Sequence, residues 1–206
     1  MDFLSSTLYA ITKNLLNITC RQKVGQKTLY LTFDDGPTPD VTNEVLNILE
    51  LHNARATFFC LGKNALCYPE ILSKISAKGH TIGNHAFSHI DGRKTSPSQY
   101  LHNVLLCNRI ISSNLFRPPF GRMGLMQWRL LKSRYNIILW DVMSYDFASR
   151  MTPQKCAARV IKNANDGSII VFHDTAKAAT NCLGALPSVL SHFQKKGYIF
   201  SGLPAK

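Results

Sequence analysis

A chain of 206 residues with 45% hydrophobic and 17% charged side chains is long enough for one domain with a full core, and too apolar to stay disordered. Its formal net charge of +12 suits a nucleic acid, an anionic membrane or an acidic polymer as partner, or simply a solvated basic face. No apolar run reaches the length of a membrane span, and six cysteines without CxxC or regular spacing imply no disulfide framework.

Phe3, Leu4, Leu8, Ile11, Leu15 and Ile18 recur at near-helical spacing, which predicts a helical extension over residues 1–27 packed on the domain. Asp2 stands where a signal peptide carries positive charge, and Ser5, Ser6, Thr7 and Lys13 interrupt the apolar stretch. The default expectation is a cytoplasmic or peripherally membrane-associated protein. From residue 28 onward, short β-branched or aromatic runs alternate with helical patterns. Strands are predicted over 28–33, 56–60, 80–83, 115–116, 136–140, 168–172 and 198–200, and helices over 41–51, 69–77, 97–112, 123–133, 153–164 and 183–195. Alternation of this kind argues a parallel sheet covered by helices. About seven units fit a distorted or incomplete (β/α) barrel better than a full eightfold one; an open doubly wound sheet is the alternative. Residues 28–206 form one domain, without repeat or linker.

The polar residues sit where barrels build sites. Asp34-Asp35 follow one predicted strand, His85 another, Arg117 a third, Asp141 a fourth and His173 a fifth. Asp-Gly alone is a common turn, and two His at i, i+4 alone are commonly coincidence. Together, one Asp with His85 and His89 makes a three-ligand set that leaves a coordination position open, and the second Asp can accept a proton there. Residues 92–140 hold eight Lys or Arg and no acid. That basic face suits an anionic polymer or membrane surface, but no nucleic-acid motif accompanies it. His52, His80, His102 and His192 have no motif partners and read as surface or packing residues.

The ordered set Thr32-Phe33-Asp34-Asp35-Gly36, His85-x-x-x-His89, Arg117-Pro118-Pro119-Phe120-Gly121, Asp141-x-x-x-x-Asp146-Phe147 and Ile169-Ile170-Val171-Phe172-His173-Asp174 closely resembles the polysaccharide deacetylases, carbohydrate esterase family 4, which share the NodB homology domain. The resemblance covers roughly residues 28–200. It implies a distorted (β/α) barrel that removes N-acetyl groups from N-acetylglucosamine units of peptidoglycan, chitin or a related glycan. It also implies one divalent metal ion, usually zinc, with cobalt or another divalent ion as the alternative. By position, Asp35, His85 and His89 match the metal ligands, Asp34 the general base and His173 the general acid. Arg117 matches the residue orienting the base, and Asp146 the carboxylate tuning the acid. Phe120 matches the backbone oxyanion donor, and Phe147 and Val171 positions lining an acetyl pocket. Trp is usual at Phe147 and Leu at Val171. Rival readings are hydrolysis of a non-sugar amide or an O-acetyl ester on the same scaffold, a non-catalytic glycan-binding protein, and a nucleic-acid binder.

Overall fold

The computed structural model describes residues 17–22 and 25–205. Its strands are β1 (Ile18–Thr19), β2 (Thr28–Asp34), β3 (Ala56–Cys60), β4 (Thr81–Asn84), β5 (Leu115–Phe116), β6 (Asn136–Ile138), β7 (Val142–Met143), β8 (Ile169–His173) and β9 (Ile199–Phe200). They form one sheet in the order β1-β6-β5-β4-β3-β2-β8-β7, with β9 beside β2. Every pairing between these strands is parallel. Helices α1 (Val41–Leu51), α2 (Gly62–Cys67), α3 (Pro69–Ala77), α4 (Pro97–Ile111), α5 (Leu125–Leu131), α6 (Pro153–Asn163) and α7 (Ala179–Lys195) complete the described elements. The expected distorted barrel is observed. The sequence reading misses β1 and β7: Ile18 reads into a helical pattern, and Val142–Met143 lie just past the strand expected over 136–140.

Strand alternation divides the core between the outside and the inside of the sheet. The outside is filled in two places, one of them by Ala86, Tyr100, Val104, Phe116, Leu131, Tyr135 and Ile137 under α4 and α5. Leu29, Leu31 and Phe33 of β2, Phe58 of β3, and Ile170 and Phe172 of β8 belong to one buried cluster with Val45, Leu46 and Leu49 of α1, Val160 of α6, and Leu186 and Leu190 of α7. Tyr30, Phe59, Leu115, Ile138 and Ile169 form another with Leu203. The cluster with α1, α6 and α7 is on the helix-covered outside of the sheet; the one with Leu203 fills the barrel. With a period of two, the inward files run Tyr30-Thr32-Asp34, Leu115-Arg117 and Ile169-Val171-His173. Each file is plugged by apolar or neutral residues and ends in an ionisable one. Gly83 of β4 is required by this filling, since a Cβ there would lie 2.4 Å from the Phe59 ring.

The helices start where local chemistry says they should. The Ser96 hydroxyl accepts the Gln99 N–H at 3.4 Å with Pro97 opening α4, and the Thr152 hydroxyl accepts the Lys155 N–H at 3.3 Å with Pro153 opening α6. Residue Gly79, with φ of +76°, ends the turn after α3.

Three expectations change. The helix expected over residues 1–27 falls mostly outside the described residues, but Ile18 lies in a strand, its register partner being Ile137. The strand expected over 136–140 stops at Ile138: the Leu139 N–H makes the last bond to β1, at the Thr19 carbonyl, and the Ile138 and Leu139 carbonyls accept from Arg117 at 3.3 and 3.1 Å instead of from a neighbouring strand. Asp141 lies at the start of β8, away from the end of that strand that carries His173. Its carboxylate accepts the Ser168 hydroxyl and the Ile169 N–H, both at 2.8 Å, and pairs with Arg21 at 3.2 Å.

These contacts make a seam. Residues 17–22 join β6 on one side and the start of β8 on the other, where the Gln22 N–H donates to the Gly167 carbonyl at 2.8 Å. Arg21 also donates to the Asp166 carbonyl at 2.8 Å and to the Asn165 side chain. Asp141→Ala strips a half-buried carboxylate from three donors. It is expected to lower unfolding free energy by about 1–3 kcal/mol, measured as a lower urea midpoint at unchanged slope.

Candidate active site

The Asp34-Asp35-Gly36 turn leaves β2 at the rim of the barrel. Asp34 ends the inward file of β2 and is buried. Asp35 follows with φ of 77°, His89 has φ of 53° and Phe120 φ of 61°, a left-handed region that side chains other than glycine rarely occupy. Hydrogen bonds hold these turns. The Asn64 amide donates to the Asp35 carbonyl at 2.7 Å. The buried Asn84 donates to the Val104 carbonyl at 3.0 Å and accepts the Ala86 N–H at 2.8 Å, shaping the turn that carries His85.

Asp35, His85 and His89 offer three ligand atoms within 4.8 Å of one another. The Asp35 Oδ1 lies 3.4 Å from His85 Nε2 and 3.1 Å from His89 Nε2. That oxygen is buried without a hydrogen-bond partner among the described residues, which is the condition of an atom awaiting a cation. The His85 Nδ1–H donates to the Arg117 carbonyl at 2.8 Å, leaving Nε2 with its lone pair facing Asp35. Burial works to raise the Asp35 pKa, but its contacts with His85 and His89 outweigh that and hold it well below the usual carboxylate range. One carboxylate and two imidazoles, with one imidazole fixed from behind, fit a divalent ion such as zinc.

Arg117 ends the inward file of β5 with no exposure at all. Its Nη1 donates to Asp34 Oδ1 and to the Thr32 hydroxyl, both at 2.7 Å. Its Nε donates to the Ile138 carbonyl at 3.3 Å and its Nη2 to the Leu139 carbonyl at 3.1 Å. The guanidinium lies 4.1 Å from the centre of the Phe59 ring. The Thr32 hydroxyl passes its own proton to the Ile170 carbonyl at 2.8 Å.

His173 ends the third inward file. Its Nδ1–H donates to Asp146 Oδ1 at 2.8 Å, and its backbone N–H donates to Asp146 Oδ2 at 2.6 Å. Both oxygens of a fully buried carboxylate thus grip one residue, and Nε2 is left for the cleft. Burial disfavours the imidazolium, but the Asp146 hydrogen bond and charge, with Asp34 and Asp35 nearby, outweigh it and push the His173 pKa up to about 9.

A cleft of about 520 Å³ opens over these groups, lined by Asp34, Asp35, His85, His89, Phe120, Trp140, Met143, Phe147 and His173, with Arg122, Thr175 and Lys177 among the rest. Phe120 sets its ring edge against His89 at 4.6 Å, and Phe147 sets its ring against His173 at 5.0 Å. Val171 does not line the cleft. It is fully buried inside the barrel, and Met143, its partner in β7, takes that wall. Arg117 and Asp146 stand behind the lining. Trp140, Met143, Arg122 and Lys177 were missed by the sequence reading, since only the folded loops bring them there.

Asp174 follows His173, where an acid could be read as a cap for the next helix. It does not cap the following helix, which begins at Ala179. It is fully buried behind Gly36, where any Cβ would lie 2.1 Å from its carboxylate. Burial pushes its pKa up to about 7, against the Thr42 hydroxyl that donates to Oδ2 at 2.6 Å. The sequence signal was an acid directly after His173, indistinguishable from a cap without its surroundings.

Comparison with known proteins places this arrangement. Residues 21–133 match the family profile described as Polysaccharide deacetylase. A peptidoglycan-N-acetylglucosamine deacetylase of Bacillus cereus is 31% identical over 184 residues, covering 85% of this chain and 66% of that protein. The peptidoglycan-N-acetylmuramic acid deacetylase PdaC of Bacillus subtilis is 32% identical over 179 residues, covering 84% of this chain and 37% of that protein. The chain therefore spans about two thirds of the first relative and little more than a third of the second. A crystal structure of a peptidoglycan N-acetylglucosamine deacetylase superposes with a TM-score of 0.89 at 28% identity, covering 94% of each chain. Profile, relatives and superposition agree on one family, and the chain belongs to the polysaccharide deacetylase family, the carbohydrate esterases of family 4.

Proposed function

We propose that this cleft removes acetyl groups from the N-acetylglucosamine units of a glycan such as peptidoglycan or a chitin-type oligosaccharide. The observation that carries the reading is the convergence on one cleft of a three-ligand cation site, a carboxylate held by a buried arginine, and an imidazole held protonated by a buried carboxylate. Amide hydrolysis needs each of these: a deprotonated nucleophile, charge stabilisation at the carbonyl, and a proton for the departing amine.

Asp35, His85 and His89 would hold the divalent ion, which supplies Lewis acidity that activates water and polarises the amide carbonyl. Asp34 takes the proton from the attacking water. Arg117 keeps that carboxylate aimed and charge-balanced through the 2.7 Å hydrogen bond. The Phe120 backbone N–H is the proposed donor to the developing oxyanion, and Phe147, with Met143, forms the wall for the acetyl methyl. His173 delivers its Nε2 proton to the leaving nitrogen, and Asp146 keeps that proton in place. The glycan is the partner in this reading; a relative's name supports peptidoglycan, and the cleft needs no nucleic acid.

Acetate release from chitooligosaccharides and peptidoglycan fragments, with acetylated xylan as the ester control, tests the activity. A chelator is expected to abolish release and added zinc or cobalt to restore it. His89→Ala is expected to lose stoichiometric metal, since two ligands hold zinc far less well than three. Undiminished release from a sample verified metal-free by elemental analysis would overturn the reading.

The adjacent carboxylates separate by role. Asp34→Asn should retain the metal while turnover falls roughly 10²–10⁴-fold, and Asp35→Ala should lose the metal itself. Metal content and kcat measured on both variants decide the division.

The rate should also fall as pH rises through the His173 pKa, because the acid must be protonated. Asp146→Asn removes the negative charge that raises this pKa, so the alkaline limb of kcat/KM moves to lower pH. A limb unmoved at constant metal occupancy would remove Asp146 from that role.

A further inference from the structure

We propose that the outward face of α5 and the turn packed against it dock this protein onto an anionic phospholipid surface. Most amphipathic helices on a protein turn their polar side to water; α5 does the opposite. Leu125 is 64% exposed, Met126 53% and Leu130 39%, and at 100° per residue these three share one face with the exposed Arg129. The opposite side packs inward through Gln127 and Leu131, which are buried. Scattered exposed hydrophobics are ordinary, but three aliphatic side chains within six residues form a patch.

The cations beside it are placed by the same packing. The buried Gln127 amide donates to the Gly92 carbonyl at 2.7 Å and to the Thr95 carbonyl at 2.9 Å. That holds the turn bearing the exposed Arg93 and Lys94 against the start of α5. Arg122 is half-exposed at the same place and pairs with Asp91 at 3.1 Å, and Lys132 lies 4.4 Å over the Trp128 ring at the far end. Among the described residues no carboxylate pairs with Arg93, Lys94 or Arg129, and residues 92–140 contain no acid. Of the eight cations in that stretch, Arg93, Lys94, Arg122, Arg129 and Lys132 lie on α5, beside its ends or on the turn packed against it, whereas Arg117 is buried in the barrel.

Aliphatic side chains ringed by Arg and Lys fit acyl chains beneath anionic headgroups. A nucleic acid or a soluble glycan has no use for the exposed aliphatic chains of Leu125, Met126 and Leu130. Neither signal suffices alone: three side chains bury too little, and a few cations are screened by salt. Together they give reversible attachment. Phe120 and Arg122 line the cleft and abut this face, so attachment brings the cleft mouth to the bilayer. The docking itself does not depend on the hydrolytic reading.

Co-sedimentation of the full chain with vesicles tests it, using phosphatidylglycerol mixed with phosphatidylcholine against pure phosphatidylcholine. Binding is expected only to the anionic vesicles, and it should weaken as salt rises. Two variants, both at exposed positions and checked for folding by circular dichroism, carry the decision. Leu125→Ser/Met126→Ser/Leu130→Ser and Arg93→Glu/Lys94→Glu/Arg129→Glu should each cut the partition coefficient about tenfold or more. No binding to the anionic vesicles overturns the proposal. Binding that both variants leave unchanged overturns it too, because attachment then resides elsewhere in the chain. A wild type that sediments as a dimer without lipid, and a serine variant that does not, would assign the face to a second copy instead. Loss of binding in the charge variant alone, matched by equal loss toward a soluble anionic glycan, would assign it to a polymer.

Discussion

A guanidinium with no exposed surface is the constraint around which this barrel is arranged. Moving an unpaired charge out of water is prohibitive, so every donor direction of Arg117 must meet an acceptor. The Thr32 hydroxyl, Asp34, and the carbonyls of Ile138 and Leu139 meet that need, and Phe59 covers the ring face. Each acceptor fixes something else. Asp34 is aimed into the cleft, Thr32 ties β2 to β8 through the Ile170 carbonyl, and the Leu139 carbonyl is turned away from the sheet. The backbone carbonyl of Arg117 then orients the His85 ring. One buried side chain and its own peptide therefore reach both halves of the site.

The remaining parts divide between rigid and strained supports. Asp34, Arg117 and His173 end or directly follow strands and inherit their position from sheet register, Asp34 lying opposite His173 across β2 and β8. Asp35, His89 and Phe120 lie on turns in left-handed backbone. Such residues cost on the order of 1–3 kcal/mol each, and the packed barrel beneath offsets that cost. The arrangement places the proposed proton-transfer groups on the stiff frame and the cation ligands on the turns, where small backbone adjustments tune the distance between ligand atoms.

What the sequence revealed follows from what local pattern encodes. Strands β2, β3 and β8 are long, apolar and bounded by turn residues, so the parallel barrel and the rim positions of Asp34, Asp35, His85, Arg117 and His173 were legible. Asp141 looked the same, an acid after an apolar run, but its partners Ser168 and Arg21 are remote in sequence and place it elsewhere. Val171 differs for another reason: the resemblance implied that it lines an acetyl pocket, but it is fully buried within the barrel, and depth is not a property of a motif. The complete burial of Arg117 was not legible, because burial of an arginine is decided by acceptors that here lie on β2 and at the end of β6. Asp174 and the cleft residues Trp140, Met143 and Lys177 depend on how loops fold over the rim, which no periodicity records. Most of the 1–27 segment lies outside the described residues; within it, Ile18 falls in a short strand, which apolar residues at helical spacing also permit.

The seam formed by residues 17–22 has a consequence for the order in which this molecule is made. Arg21 hydrogen-bonds a carbonyl 145 positions later in the chain, and β1 pairs with β6, so an early segment has no partners until most of the polypeptide has left the ribosome. Contacts that span such distances carry a large loop-closure entropy and form late. The β2–β3–β4 unit can assemble from neighbouring segments, while the outer edge of β6 stays open as a template for stray strands. Synthesis therefore leaves a window in which the nascent barrel is unzipped along one side, and residues 17–22 are the last to lock.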